Sequence, residues 1–264
     1  MSLSHLGAHH IQQSYENIQN PNNVFNVFGE IHNNALDCCW ERADAENPDT
    51  ISDYYPYVID YLKLTPLEGD STWADNMTYE QFISLDSVEY YWTYVVSSCS
   101  GTVATYLENI LTVVQDTTHE LDYIIPTLSD IETSIISDSL GWYDRSMPLL
   151  AIAIAKHSAA YWTDTNNVNK WNEIGQGFEK RATYEDEPKK KSKVRKVVVS
   201  DLKGAVWGAV SGWIGGAITG AIFGSSEGPA GTVAGAAGGA IQGSLIGAPV
   251  GCIMSSVQQA LEHP

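Results

Sequence analysis

"KGAVWGAVSGWIGGAITGAIFG", residues 203–224, carries glycine at every fourth position: Gly204, Gly208, Gly212, Gly216, Gly220 and Gly224. Each glycine costs a water-exposed helix about 0.8–1 kcal/mol relative to alanine, so six would cost about 5 kcal/mol. As a lone helix in water the stretch should melt. Residues four apart share one helix face, however, and a face without side chains lets two backbones approach. Dispersion contact and weak Cα–H···O bonds then offset the propensity cost. The spacing therefore predicts a helix whose glycine stripe is a contact face.

A second series repeats the period after the break "GSSEGPAG": Gly231, Gly235, Gly239, Gly243, Gly247 and Gly251. Two matched series about a Ser-Ser-Glu-Gly-Pro turn predict a helical hairpin. Between Lys203 and Glu227 lie 23 residues without a formal charge. As a helix they would reach about 34 Å, enough for a hydrocarbon core about 30 Å thick. The second arm, Ala230 to Ala248, reaches about 28 Å before Pro249 and is a short crossing. Thr232, Gln242 and Ser244 make it weakly apolar, so insertion as a paired hairpin, or assembly around a polar interior, suits it better than insertion alone.

Outward from the hairpin the charge is divided sharply. The 264-residue chain has a formal net charge of -18 and 44% hydrophobic residues, enough to build a core. Residues 1–178 hold five basic residues against 25 acidic ones, a net of -20. Residues 179–200 hold eight basic and four acidic residues, and six of the basic ones are Lys189, Lys190, Lys191, Lys193, Arg195 and Lys196. From residue 201 onward only Asp201, Lys203, Glu227 and Glu262 are charged. The chain thus reads as an acidic, aromatic-rich, mainly helical domain (1–178), a basic linker (179–200) and a glycine-zipper helical hairpin (201–262), mostly α throughout. An acidic balance of this size excludes nucleic acid as the main partner, since phosphate binding needs a basic face.

Within the acidic region "VFGEIHNNALDCCWERA" spaces Phe28, Ile31, Ala35, Cys38 and Cys39 at helical intervals. "EYYWTYVVSSCSGTVATYLENILTVVQD" suits a buried helix, with a strand as the alternative for "YYWTYVV". "THELDYIIPTLSDIETSIISDSL" and "MPLLAIAIAKHSAAYWTD" are further helices, Pro126 kinking or starting the first. "NPNN", "ENPDT" and "TDTNN" mark loops. The four cysteines, two of them adjacent, read as free thiols in a reducing compartment rather than a disulfide framework.

The glycine series resembles the glycine zippers of membrane-channel proteins and of bacteriocin-like pore-forming peptides, over residues 200–262. That resemblance implies helices packed tightly in a bilayer, possible oligomers among them. "FNVFGEIHNNALD" (25–37) is similar to an opening found in uncharacterised Bacteroidota proteins, which implies a bacterial source. Trp207 and Trp213 stand near the start of the first arm, where interfacial aromatics belong, and the basic cluster before it suits an anionic membrane surface. The N-terminus lacks a positive n-region and an apolar h-region. The expected route is synthesis in the cytoplasm followed by membrane association or specialised export.

Catalytic patterns are absent: there is no phosphate-binding G-x-x-x-x-G-K-[ST], no G-x-S-x-G and no H-E-x-x-H. Acid pairs such as Asp70/Asp75, Asp138/Asp144 and Glu185/Asp186 are what 32 carboxylates on a solvated face produce. In "HLGAHH", His5 and His9 would share a helix face with His10 or His32 near, a weak metal candidate because Gly7 disfavours the helix and no acid is adjacent. No catalytic residue, metal or cofactor is expected. The expectation is a membrane-interacting, bacteriocin-like pore former whose hairpin oligomerises through its glycines, with anionic lipid, further copies of itself, and a secretion-apparatus or immunity protein as partners. Its acidic domain would shield the hairpin until a membrane, salt or proteolysis releases it. The alternative is a soluble structural or cargo protein of a secretion or injection assembly whose hairpin packs against protein.

Overall fold

A computed structural model describes residues 18–46, 48, 50–64, 92–93, 96–97, 99–119, 121–178, 194–206, 208 and 247–261. The protein is mostly helical: 86% of the described residues are in helices and none is in a strand. In chain order the elements are α1 (Asn26–Glu46), a 3-10 turn (Ile51–Tyr54) running into α2 (Tyr55–Leu64), α3 (Gly101–Gln115), a second 3-10 turn (Leu121–Tyr123), α4 (Ile124–Ser137), α5 (Trp142–Thr163) and α6 (Thr165–Phe178). Residues 194–206 form α7 and residues 247–261 form α8.

The centre of the fold is α5, on which α1, α3, α4 and α6 all pack. Its sequence explains the position. "LLAIAIA" gives no polar side, and a helix apolar all round is buried all round. No residue from Leu149 to Ala159 is more than 4% exposed. The helix begins at Trp142 rather than near Met147, so Pro148 lies inside it. Gly141 is the extended N-cap, Asp144 stands in the first turn, where a carboxylate complements the helix dipole, and Trp142 stacks on Phe25 at 5.7 Å.

Three consecutive polar residues nevertheless sit in this core, and helical geometry turns each one about 100° from the last. Lys156 reaches α4, where its Nζ lies 2.7 Å from Glu132 Oε2, both side chains 1% exposed. The "NPNN" turn completes that pair: Asn20 and Asn23 donate to the two Glu132 oxygens at 3.1 and 2.6 Å, and Asn23 also reaches the Leu149 carbonyl at 3.1 Å. His157 faces α1 at Gly29, where an added Cβ would strike its ring and come within 2.8 Å of the Ala153 carbonyl. Glycine there permits the close approach of α1. Ser158 faces α7, as described below.

Pro126 starts α4, occupying its third position, where a backbone N–H has no intrahelical partner to lose. Of 90–96, Trp92, Thr93 and Val96 are described, and all three are helical. "TDTNN" is not a loop: α5 and α6 meet at Asp164, whose side chain accepts from Asn166 N (2.8 Å) while its carbonyl accepts from Val168 N (3.1 Å). Asp164 thus ends one helix and caps the next, which is why a short polar run reads as a connection but spans only one residue. All four cysteines are free thiols.

Candidate functional site

The glycine series enter the helical core at their outer ends. Gly204 and Gly208 lie at the start of the first series, Gly247 and Gly251 at the end of the second, and the two pairs meet backbone to backbone. A Cβ on Gly204 would fall 2.6 Å from the Gly251 carbonyl oxygen and against Ser255 Oγ. One on Gly208 would strike the Gly247 carbonyl, and one on Gly251 the Gly204 carbonyl, with Gly208 Cα at 3.2 Å. None of these positions has room for a methyl group.

Around this contact the two helices are rooted by apolar burial. Val194, Val197, Val198, Leu202 and Val206 of α7 and Val250, Ile253, Met254, Val257 and Leu261 of α8 are all at most 3% exposed. The helix carrying Gly247 runs through Pro249 to Leu261, so helical structure does not stop before that proline. Trp162, Val168, Trp171 and Asn172 line a small cleft against Val194, Val197 and Ala260.

Between the root and the rest of the protein lies a fully buried polar cluster centred on Asp201. Ser158 of α5 and Ser256 of α8 each donate a hydroxyl hydrogen bond to one of its carboxylate oxygens. His32 Nε2 of α1 lies 3.4 Å from Asp201 Oδ2 and 3.3 Å from Ser256 Oγ, and Trp162 Nε1 donates to Ser256 Oγ at 3.3 Å. Asn33 fixes the imidazole from the other side. Its Nδ2 donates to the His157 carbonyl at 3.0 Å, so its Oδ1 faces His32 Nδ1 at 2.8 Å and must accept from it.

Aspartate, histidine and serine here do not form a nucleophilic triad. One imidazole nitrogen faces both partners, and the Ser256 proton is committed to Asp201 rather than to a base. All three side chains are 0% exposed. The cluster acts as a clasp: four helices contribute to it, and a buried carboxylate is satisfied without leaving the interior. His157, next to it, is driven neutral by burial, its imidazole pushed down to about 4 against the opposing pull of its hydrogen bond to the Ala153 carbonyl.

Arg195, expected at a membrane surface, is instead 4% exposed. Its guanidinium donates to the carbonyls of Val114 (3.2 Å) and His119 (2.5 Å), at and just beyond the last turn of α3. A cation there satisfies carbonyls that a helix end leaves without partners and complements the dipole. Lys196 is exposed. Lys189, Lys190, Lys191, Lys193, Trp207 and Trp213 lie outside the described residues, as do His5, His9 and His10 and the inner glycines Gly212, Gly216, Gly220, Gly224, Gly231, Gly235, Gly239 and Gly243.

Of the acid pairs, Asp70/Asp75 and Glu185/Asp186 also lie outside. Asp138 caps the end of α4 and accepts from Tyr106 Oη at 2.9 Å, while Asp144 stands in the first turn of α5. Among the described residues no three His, Cys, Asp or Glu side chains gather as a metal site, and no helix is long and apolar enough to cross a membrane.

Sequence reading missed the clasp because its members sit far apart along the chain and match no motif. The available signal was "GEIHNNALD", where a histidine and an asparagine share a helix with Ile31, Ala35 and Leu36. Polar groups on an apolar face call for buried partners, and Asp201, the acidic residue opening the nearly uncharged tail, is one. Comparison with protein-family models, curated proteins and solved structures found no match.

Proposed function

We propose that the protein is a membrane-interacting, bacteriocin-like pore former: an acidic, aromatic-rich helical body that carries a C-terminal glycine-zipper hairpin, whose arms enter an anionic bilayer and assemble through their glycine faces. The observation that carries this reading is the register of the root. Gly204 opposes Gly251 and Gly208 opposes Gly247. Stepping four residues inward along each arm from the second pair reaches Gly212 and Gly243, then Gly216 and Gly239, Gly220 and Gly235, and finally Gly224 and Gly231, on either side of the turn. One antiparallel register thus supplies a glycine partner for every glycine of both series. In a medium that offers no hydrophobic drive between helices, such close backbone packing is what holds arms together.

A second reading is favoured by a different observation. Helices α7 and α8, at the outer ends of the glycine series, are buried in the core, which suits a structural or cargo protein of a secretion or injection assembly whose hairpin stays against protein. Flotation of the purified full-length chain with phosphatidylglycerol/phosphatidylcholine vesicles separates the two. The pore-former reading expects the protein to rise with the vesicles and to resist carbonate and high salt. Protein left at the bottom of the gradient, or stripped by carbonate, would overturn it in favour of the second reading. Deletion of residues 201–264 is not a usable control, because it removes Asp201, Leu202, Ile253 and Val257 from the core.

A further inference from the structure

With the root docked, the two glycine arms expected from the sequence would be too short to cross a membrane. Six residues of the first arm, Lys203 to Gly208, are helical or paired within the protein, apart from Trp207, which lies outside the described residues. What remains inward of the root is 209–224 on one arm and 231–246 on the other, 16 residues each. As helices these reach about 24 Å, short of a hydrocarbon core about 30 Å thick. Adding residues 203–208 returns about 9 Å to the first arm and closes the gap.

We infer that the root is held by a releasable clasp, and that the arms span a bilayer only after α7 and α8 leave the body. This inference rests on the membrane reading above. The clasp is the Asp201 cluster: α5 contributes Ser158 and Trp162, α1 contributes His32, and α8 contributes Ser256. Its polar groups make the docked state specific. A buried carboxylate satisfied by two serine hydroxyls, one from α5 and one from α8, fits one arrangement of these helices, and sliding α7 by a single residue would leave it without partners.

Charge attraction between the acidic body and the basic run does not supply this hold at Arg195, whose guanidinium bonds backbone carbonyls rather than carboxylates. Because the clasp is dry, added salt leaves it closed. Lipid opens it by taking up residues 203–208 together with the arms, which leaves Cys252, opposite Lys203 in the same register, at the membrane–water boundary, so release requires a bilayer and not merely ionic strength.

Two native thiols report the step. Cys252 in α8 is fully buried in the root, and Cys39 in α1 is fully buried in the body beside Tyr54. In the full-length protein, maleimide labelling of each thiol is followed by mass spectrometry, with and without phosphatidylglycerol/phosphatidylcholine vesicles, alongside release of an entrapped dye. Vesicles are expected to speed Cys252 labelling at least tenfold while Cys39 stays protected. Asp201→Asn, which keeps the shape but gives one serine hydroxyl an amide N–H to face, is expected to raise Cys252 labelling without lipid and to speed dye release about tenfold. Ser158→Ala, a smaller change, is expected to do the same to a lesser degree, and Cys39 protection identifies variants that have kept the body folded.

Dye release with Cys252 still protected would overturn the clasp and leave the membrane reading standing. A failure of wild type and both variants to bind vesicles would overturn the membrane reading instead. Unchanged Cys252 labelling in both variants in lipid-free solution would overturn the clasp irrespective of what the vesicles do.

Discussion

The central helix α5 and the glycine root are both removed from water, yet they are buried in opposite ways. Between Leu149 and Ala159, α5 fills most of its surroundings with side chains, and its leucines and isoleucines can shift rotamer to absorb a change, the close approach at Gly29 of α1 excepted. At Gly204, Gly208, Gly247 and Gly251 the glycines face main chain, which has no rotamer to change, with the Ser255 hydroxyl added at Gly204. The difference teaches that hydrophobic content alone does not locate the sensitive part of a core. A side-chain contact is tolerant of shape and intolerant of unpaired charge, whereas a backbone contact is intolerant of any added atom.

The largest expected effect tests the first half of that contrast. Glu132→Ala leaves the Lys156 side chain 1% exposed and without its carboxylate beneath α5, and should lower unfolding free energy by about 3–5 kcal/mol in a urea titration. Replacing both partners, Glu132→Gln with Lys156→Met, should recover most of the loss. If the single substitution were harmless, side-chain burial around α5 would be looser than described.

Acid should reach α5 next. His157 has its folded value at about 4, below the ordinary 6.5, so between these values the unfolded chain binds more protons than the folded one. The contribution is intact above pH 6.5, shrinks as pH falls toward 4, and shrinks no further below that. About 3 kcal/mol of stability should go across this window. Urea midpoints measured from pH 7 to pH 4 in wild type and His157→Gln check it, the variant being expected to show a flatter slope.

The sharpest form of the comparison is a change of sign with a smaller magnitude. Gly→Ala inside an exposed helix ordinarily gains about 1 kcal/mol. Gly251→Ala should instead lose about 2 kcal/mol, because its methyl group meets the Gly204 carbonyl. Gly101→Ala, at the start of α3 with nothing within 4 Å of the added carbon, should stay within about 0.5 kcal/mol of wild type or gain slightly. Thermal melts of the two variants side by side read the difference. Equal behaviour would mean that the root glycines are not in backbone contact.

Much of the helical architecture was readable from spacing. Phe28, Ile31, Ala35 and Cys39 sit on the buried side of α1 as their periodicity indicates, Cys38 being only half-buried, and the four described glycines of the two series lie close to one another's main chain. Periodicity reports which face is apolar and says nothing of where a lone polar residue on that face finds its partner. His32, Ser158, Asp201 and Ser256 therefore stayed invisible as a group, though each was plain as a letter. Arg195 misled for a related reason: a run of basic residues reads as one solvated cluster, but α7 turns Arg195 inward and leaves Lys196 outside. The "TDTNN" segment failed because one aspartate can end one helix and cap the next.

The central claim is that the glycine arms pair in one register and carry that pairing into a membrane. Its most direct measurement is release of entrapped dye from anionic vesicles by the intact chain, compared with a chain carrying Gly216→Ile and Gly239→Ile, an inner pair of the proposed register distant from the buried root. Release by the intact chain, lost in the substituted chain while its helical body remains folded, is the predicted result. Vesicles left whole by the intact chain at every salt concentration and pH, or emptied equally by both chains, would contradict it.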